Sequence, residues 1–311
     1  MTPLRVIFAG SGEFGLPTLA RLINSDQYAV VQVITQPDRP SGRGLKLTPT
    51  AVARLTTERN LSLLCTPNIN DEKLPDADVM VVIAFGQKVA PPVVNHPRLG
   101  SINLHASLLP KYRGAAPINW AIISGERVTG NSVIRLAPKM DAGAVLGQSS
   151  IEMGETETAG EVHARLAEDG ARLVPRVLDD LARGTATEIA QDESQATLAP
   201  KLSREHAAID WTKTADAIAN QIRGMHPWPG CRVRLIDGDR ELARLTLVRA
   251  RPIASIGARP GEVLPAGEIG AGDGAVEVIE LQPEGKRPMP LRDFRNGHAW
   301  HAGMRLESVT S

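Results

Sequence analysis

Short, unbroken apolar runs that alternate with helical patterns constrain the fold of this chain more than any other feature. Residues 4–9 (LRVIFA), 30–35 (VVQVIT), 78–84 (DVMVVIA) and 100–105 (GSINLH) read as strands. Residues 13–23 and 50–59 read as helices, and helical patterns return at 115–124 and 159–183. A strand that is apolar on both faces has to be covered on both, as in a mainly parallel sheet with helices above and below it. Aromatic residues are 3% of the chain and hydrophobic residues 42%, so the core is built from Val, Ile, Leu and Ala. The expected first domain is α/β and doubly wound, over residues 1–183.

The pattern then changes. Residues 184–206 turn polar and irregular and read as a linker. A helix over 212–224 opens the second domain, placed at 207–311. After Pro229, short alternating segments (CRVRLI, RLTLVRA, GEVL, AVEVIEL) are divided by Gly, Asp and Pro. Period-two alternation with close turns predicts a small β-barrel. Residues 36–49 (QPDRPSGRGLKLTP) are expected to be loop, since Pro and Gly punctuate them throughout.

The formal net charge is zero. That argues against a chain-wide electrostatic hold on nucleic acid but leaves room for local basic patches. Cys65 and Cys231 are far apart in sequence and read as a reduced pair, although one disulfide is arithmetically possible. No apolar run is long enough to span a bilayer, and the N-terminus does not have the form of a signal peptide. A cytoplasmic protein with no membrane partner is expected.

Gly10-Ser11-Gly12-Glu13-Phe14-Gly15 matches G-x-G-x-x-G between a strand and a helix, with Asp38 further on. Such a pattern serves a dinucleotide site or simply allows a sharp strand-to-helix turn. Asp38 falls in the Pro-rich loop rather than at a strand end, which favours the second reading. No NAD is expected.

Asn103 and His105 stand two apart at the end of a strand, so both side chains face one side while Ile102 and Leu104 face the other. Ligands of open α/β sheets bind outside the carboxyl ends of strands. Ser107, Leu108, Leu109 and Pro110 follow at once, then KYRGAAP, and Asp141 lies further on in the turn MDAG. Taken singly, Asn103 reads as a cap and His105 as a satisfied surface histidine. Taken together, an amide donor, an imidazole and a carboxylate can stabilise an oxyanion and move a proton. No His or Cys pair in this region has metal-ligand spacing, so no metal is expected.

The run NLHASLLPKYRGAAPI (103–118) with MDAG (140–143) resembles the folate-dependent formyltransferases. TQPDRPSGRG (35–44), KLSREHAAIDW (201–211) and PWPG (227–230) bring the resemblance closest to the methionyl-tRNA formyltransferase family, over residues 4 to about 300. The chain departs from the usual pattern at Ser11-Gly12, where Thr-Pro is common, and at Ala137 and Ala144, where acids are common.

The resemblance implies a Rossmann-like catalytic domain followed by an OB-like barrel that binds tRNA. It implies 10-formyltetrahydrofolate as donor and initiator methionyl-tRNA as acceptor. It makes Asn103, His105 and Asp141 catalytic. Asp141 has two candidate tasks, holding an imidazolium at His105 or taking the amine proton. The folate slot is expected at Ser107, Leu108, Leu109 and Pro110, with Phe85 and Gly86 as its opposite wall. Arg39, Arg43 and Lys46 are expected to reach tRNA, with phosphate contacts from Arg232 and Arg234 or from Arg249 and Arg251. Trp211 and Trp228 are expected to pack at the domain junction. The alternative is N-formylation of an amino sugar nucleotide, whose enzymes lack the QPDRPSGRG loop.

Overall fold

The structure is a computed structural model that describes residues 2–41, 46–254 and 259–309. The chain forms two compact units. The first takes Met1–Arg113, Gly130–Ile151 and His163–Leu198; the second takes Gly114–Thr129, Glu152–Val162 and Ala199–Ser311. The stretch read as a linker therefore divides, and its residues through Leu198 cluster with the first unit.

The first unit is built on a seven-stranded sheet. Its strands are β1 (Leu4–Gly10), β2 (Tyr28–Thr35), β3 (Leu63–Cys65), β4 (Val79–Ile83), β5 (Ser101–His105), β6 (Val128–Arg135) and β7 (Val145–Glu152). Their spatial order is β7-β6-β5-β4-β1-β2-β3. Strands β3 through β5 run parallel to their neighbours along this order, and β6 is antiparallel to β5. The strand order reverses beside β1, which is the doubly wound arrangement expected from the sequence. Strands β6 and β7 were not anticipated. Strand β6 carries buried polar residues, Thr129, Asn131 and Ser132, that mask its apolar pattern, and β7 buries only Val145.

Burial explains the parallel strands. Every residue of β4 is buried, and so are Val6 through Ala9 of β1. Side chains alternate as the strand period requires. On one face Ile7, Ala9, Met80 and Val82 join a core with Phe85 and Val93. On the other, Leu104 meets the helix Ala159–Arg183 at Gly170, where a Cβ would lie 2.5 Å from Leu104 Cδ2. The stretch 36–49 is not wholly loop, because Arg39–Ser41 and Lys46–Thr48 pair as a small antiparallel hairpin.

The second unit has a six-stranded antiparallel sheet. Arg240–Ile253 pairs with Cys231–Asp237 on one side and with Ala275–Pro283 on the other. Bulges near Arg249 bend this long strand. The strand expected at 261–264 is reduced to single bridges, Glu262 to Arg305 and Val263 to Ile269. These join the two edge strands, Arg305–Ser308 and Ile269–Gly270, and nearly close the barrel. Trp211 packs in this unit's core with Ile218, Ile222 and Trp300. Trp228 departs from expectation: it is 53% exposed, in a loop flanked by Pro227 and Pro229. Among the described residues, no helix is long and apolar enough to cross a membrane. Both cysteines are free.

Candidate active site

Strand β5 lies between β4 and β6, with Asn103 opposite Val82 and Ile134 and His105 opposite Ser132. Strands on both sides fix its backbone, so its alternation carries Asn103 and His105 to one face. Asn103 is half-buried, and its side-chain amide takes no partner among the described residues. His105 is buried, and its Nε2 lies 2.9 Å from the Tyr112 carbonyl oxygen. A carbonyl only accepts, so Nε2 carries the hydrogen and donates it. Nδ1 is then the nitrogen that faces Asp141, whose Oδ2 is 3.7 Å away. At that distance the two groups are close neighbours without a direct hydrogen bond.

Asp141 stands in the connection between β6 and β7. Its backbone is left-handed, with φ of 51°, a conformation that costs an ordinary residue on the order of 1 kcal/mol. Gly143 follows, and a Cβ there would collide with the Arg135 carbonyl, so the turn can close against the end of β6 only with glycine.

The segment after β5 is held from β6 and β7. Ser132 Oγ donates to the Ser107 carbonyl at 2.7 Å and accepts from the Leu109 amide at 3.0 Å. Gln148 Nε2 donates to the Leu109 carbonyl at 2.9 Å and to Ser132 Oγ at 2.8 Å. Ser107 Oγ donates to the Lys111 carbonyl. Leu109 is buried against Ile134 and Val145, while Leu108 and Pro110 are half-buried. The segment 107–110 is thus a backbone surface of fixed shape beside His105.

Phe85 corrects one expectation. Its ring lies in the core, and its carbonyl accepts from Gln36 Nε2 and Ser11 Oγ. Only Gly86, exposed and with φ of 77°, remains open as a wall. The glycine turn is also occupied from within, since the amides of Ser11 and Gly12 both donate to the Ala84 carbonyl. Among the described residues, no group of three or more His, Cys, Asp or Glu side chains converges to hold a metal.

Arg39 and Lys46 are exposed on the hairpin. Arg39 pairs with Thr48 and Ser41 with Lys46, and this register places both cations on one face. Arg43 lies outside the described residues. In the second unit, the expected phosphate contacts are mostly engaged already: Arg234 pairs with Glu307, Arg249 with Glu161 and Arg251 with Glu277. Of these four arginines only Arg232 makes no ion pair among the described residues.

Sequence reading missed Tyr112, Ser132, Gln148 and Gln191. Tyr112 sits within the recognised run, and its left-handed backbone leaves no mark in the sequence. The others act across 16 to 78 residues, where no local pattern reaches.

Both parts of the chain match known protein families. Residues 4–178 match the formyl transferase domain and residues 201–299 the formyl transferase C-terminal domain. A methionyl-tRNA formyltransferase of Methylococcus capsulatus is 39% identical over 312 residues, covering 97% of this chain and 99% of that protein. One of Geobacter sulfurreducens is 39% identical over 321 residues, covering 100% and 99%. Among solved structures, the N-formyltransferase from Helicobacter canadensis in complex with folinic acid and dTDP-3-aminofucose gives a TM-score of 0.67 at 16% identity. That match covers 88% of this chain and 97% of the other, and it is a likeness of fold. The chain belongs to the formyl transferase family and, within it, to the methionyl-tRNA formyltransferases.

Proposed function

We propose that this chain transfers the formyl group of 10-formyltetrahydrofolate to the free amino group of initiator methionyl-tRNA, in the cytoplasm, for translation initiation. The observation that carries the mechanism is the strand end where an uncommitted Asn103 amide stands beside a His105 whose Nε2 is fixed on Tyr112. Residues 1–183 carry the chemistry in this reading, and 207–311 bind tRNA.

The neutral amine attacks the formyl carbon, and the carbonyl oxygen becomes an oxyanion. Asn103 donates an N–H to that oxygen, a contribution of about 3–4 kcal/mol in a dry site. The nitrogen, now positive, loses a proton to the His105 Nδ1 and Asp141 pair, directly or through one water. His105 has only this nitrogen to offer, because Nε2–H is engaged. A proton placed between Nδ1 and a carboxylate 3.7 Å away is attracted to both, which makes the pair an acceptor. Collapse breaks the bond from the formyl carbon to N10, and N10 takes the proton from the pair. The products are a formyl amide and tetrahydrofolate, with atoms and charge in balance.

The folate lies in this reading along residues 107–110, held by Ser132 and Gln148, with Gly86 opposite. Nicotinamide cofactors have no part in it, because the turn amides that would hold their phosphates already bond Ala84. Arg39, Arg43 and Lys46 reach the acceptor arm of the tRNA, and Arg232 adds a phosphate contact.

The test is an assay with 10-formyltetrahydrofolate labelled at the formyl carbon. Label on the methionyl amine of methionyl-tRNA is expected. Label on an amino sugar nucleotide, and none on the tRNA, would overturn the reading.

A further inference from the structure

The segment that follows the helix Ala159–Arg183 returns to the turn that carries Asp141. Gln191 Nε2 donates to the Asp141 carbonyl and to the Gly143 carbonyl, each at 2.8 Å. Its Oε1 accepts from Arg113 Nη2 at 2.7 Å and from Arg113 Nε at 3.1 Å. Arg113 is 4% exposed, and its guanidinium also binds both carboxylate oxygens of Glu193, at 2.8 and 3.1 Å. Glu193 is bound in addition by Lys139, two residues before Asp141.

Chemistry fixes which way this amide points. A guanidinium only donates, so the atom facing Arg113 must be the oxygen. Two carbonyls only accept, so the atom facing Asp141 and Gly143 must be the nitrogen. Glutamate has nearly the same shape but no donor, so it satisfies Arg113 and fails the turn. The turn depends on this support because Asp141 is left-handed and Gly143 is pressed against Arg135. Gln191 anchors the carbonyls on either side of Ala142, and with them the direction in which the Asp141 side chain leaves the backbone.

We propose that Gln191 is a positioning residue, which fixes the turn so that the Asp141 carboxylate faces His105 Nδ1, and that Arg113 fixes the orientation of Gln191. This rests on the reading of Asp141 as part of the proton-accepting pair. A displacement of about 1 Å in such a group lowers turnover ten- to a hundredfold.

The test is a double-mutant cycle in the labelled formyl-transfer assay, on the full chain, with melting temperature followed alongside. Gln191→Glu keeps the Arg113 contact and removes both donations. Gln191→Met removes every hydrogen bond without adding charge, and it serves if the glutamate variant does not fold. Either change is expected to lower kcat about ten- to a hundredfold while KM for donor and for tRNA stays within about twofold. In an Asp141→Ala background the same change is expected to have no further effect on kcat, because it acts through the missing carboxylate. If Asp141→Ala is slow and the Gln191 variants keep kcat, or lower it equally in both backgrounds, the positioning role is overturned while the catalytic reading stands. If Asp141→Ala turns over as fast as the unmodified chain, the catalytic reading falls, and the inference falls with it.

Discussion

Both units gather charged side chains at a bend in the chain, and they use them in opposite ways. In the second unit, Arg249 donates to the Thr156 carbonyl and to Glu161, both at 2.7 Å, and pairs with Glu280 at 3.5 Å. Glu161 also accepts from the Thr158 amide and hydroxyl, in the reciprocal cap that opens the helix Ala159–Arg183. The Arg249 guanidinium and these caps hold the Glu161 carboxyl down at about 2. In the first unit, the Asn103 amide is uncommitted, and His105 Nδ1 faces a carboxylate beyond hydrogen-bond reach. A cluster whose donors and acceptors satisfy one another supports the fold. A cluster that leaves some of them open at a strand end is, in the proposed function, prepared for a substrate.

The largest effect that tests this contrast is expected from Asn103→Ala. It removes a donor that no other group uses, so kcat should fall on the order of a hundredfold or more with the melting temperature little changed. Glu161→Ala in the same assay should leave kcat where it was. The contrast breaks if Asn103→Ala raises KM for the folate and spares kcat.

Ser132→Ala should come next. It leaves the buried Ser107 carbonyl and Leu109 amide short of a partner, and takes from Gln148 Nε2 one of its two acceptors. The expected costs are about 1–3 kcal/mol of stability and a roughly tenfold rise in donor KM. Denaturant titration and donor titration read the two separately, and an unchanged donor KM would remove residues 107–110 from the folate slot.

A smaller effect is expected from Arg39→Ala on the hairpin. KM for tRNA should rise a few-fold at low salt, and the difference should narrow as salt increases, because the proposed contact is to phosphate. No change at any salt concentration would leave Arg39 a solvated charge.

Glu161→Gln should show the smallest change. The folded carboxyl ionises at about 2, below its ordinary 4.5, so the fold favours the charged form. Its contribution is therefore complete above pH 4.5 and lost as pH falls through about 2. Glu161 is half exposed, so the variant should be less stable than the unmodified chain by under about 1 kcal/mol at neutral pH. That gap should close on acidification, and melting curves in which it widens instead would show that the pair is not what stabilises this bend.

How much of this was legible in the sequence depends on how far each interaction reaches. The strand that bears Asn103 and His105 could be read, because alternation is a property of its own backbone, and Leu104 facing Gly170 on the other side agrees with it. Strand β6 could not. Asn131 is buried there because it donates to the Leu166 carbonyl and to Asp169, and Ser132 because it serves Ser107 and Leu109. Those partners lie 23 to 38 residues away, so the segment VTGNSVIR looks polar until they are in place. The pairing of Arg39–Ser41 with Lys46–Thr48 escaped for a related reason, since among the described residues these short strands pair with each other alone, in a Pro- and Gly-rich stretch.

By itself the sequence determined the alternation of strands and helices, the family, and the side of β5 on which an amide and an imidazole stand. Each of these follows from backbone periodicity or from a contiguous run of residues. Tertiary structure alone decided that His105 presents Nδ1 rather than Nε2, because the choice is made by the Tyr112 carbonyl in a left-handed turn. It alone brought Asp141 to that nitrogen, on a turn anchored by Gln191 from fifty residues away. Which ring nitrogen stays open, and which carboxylate meets it, depends on hydrogen bonds between segments that become neighbours only when the chain has folded.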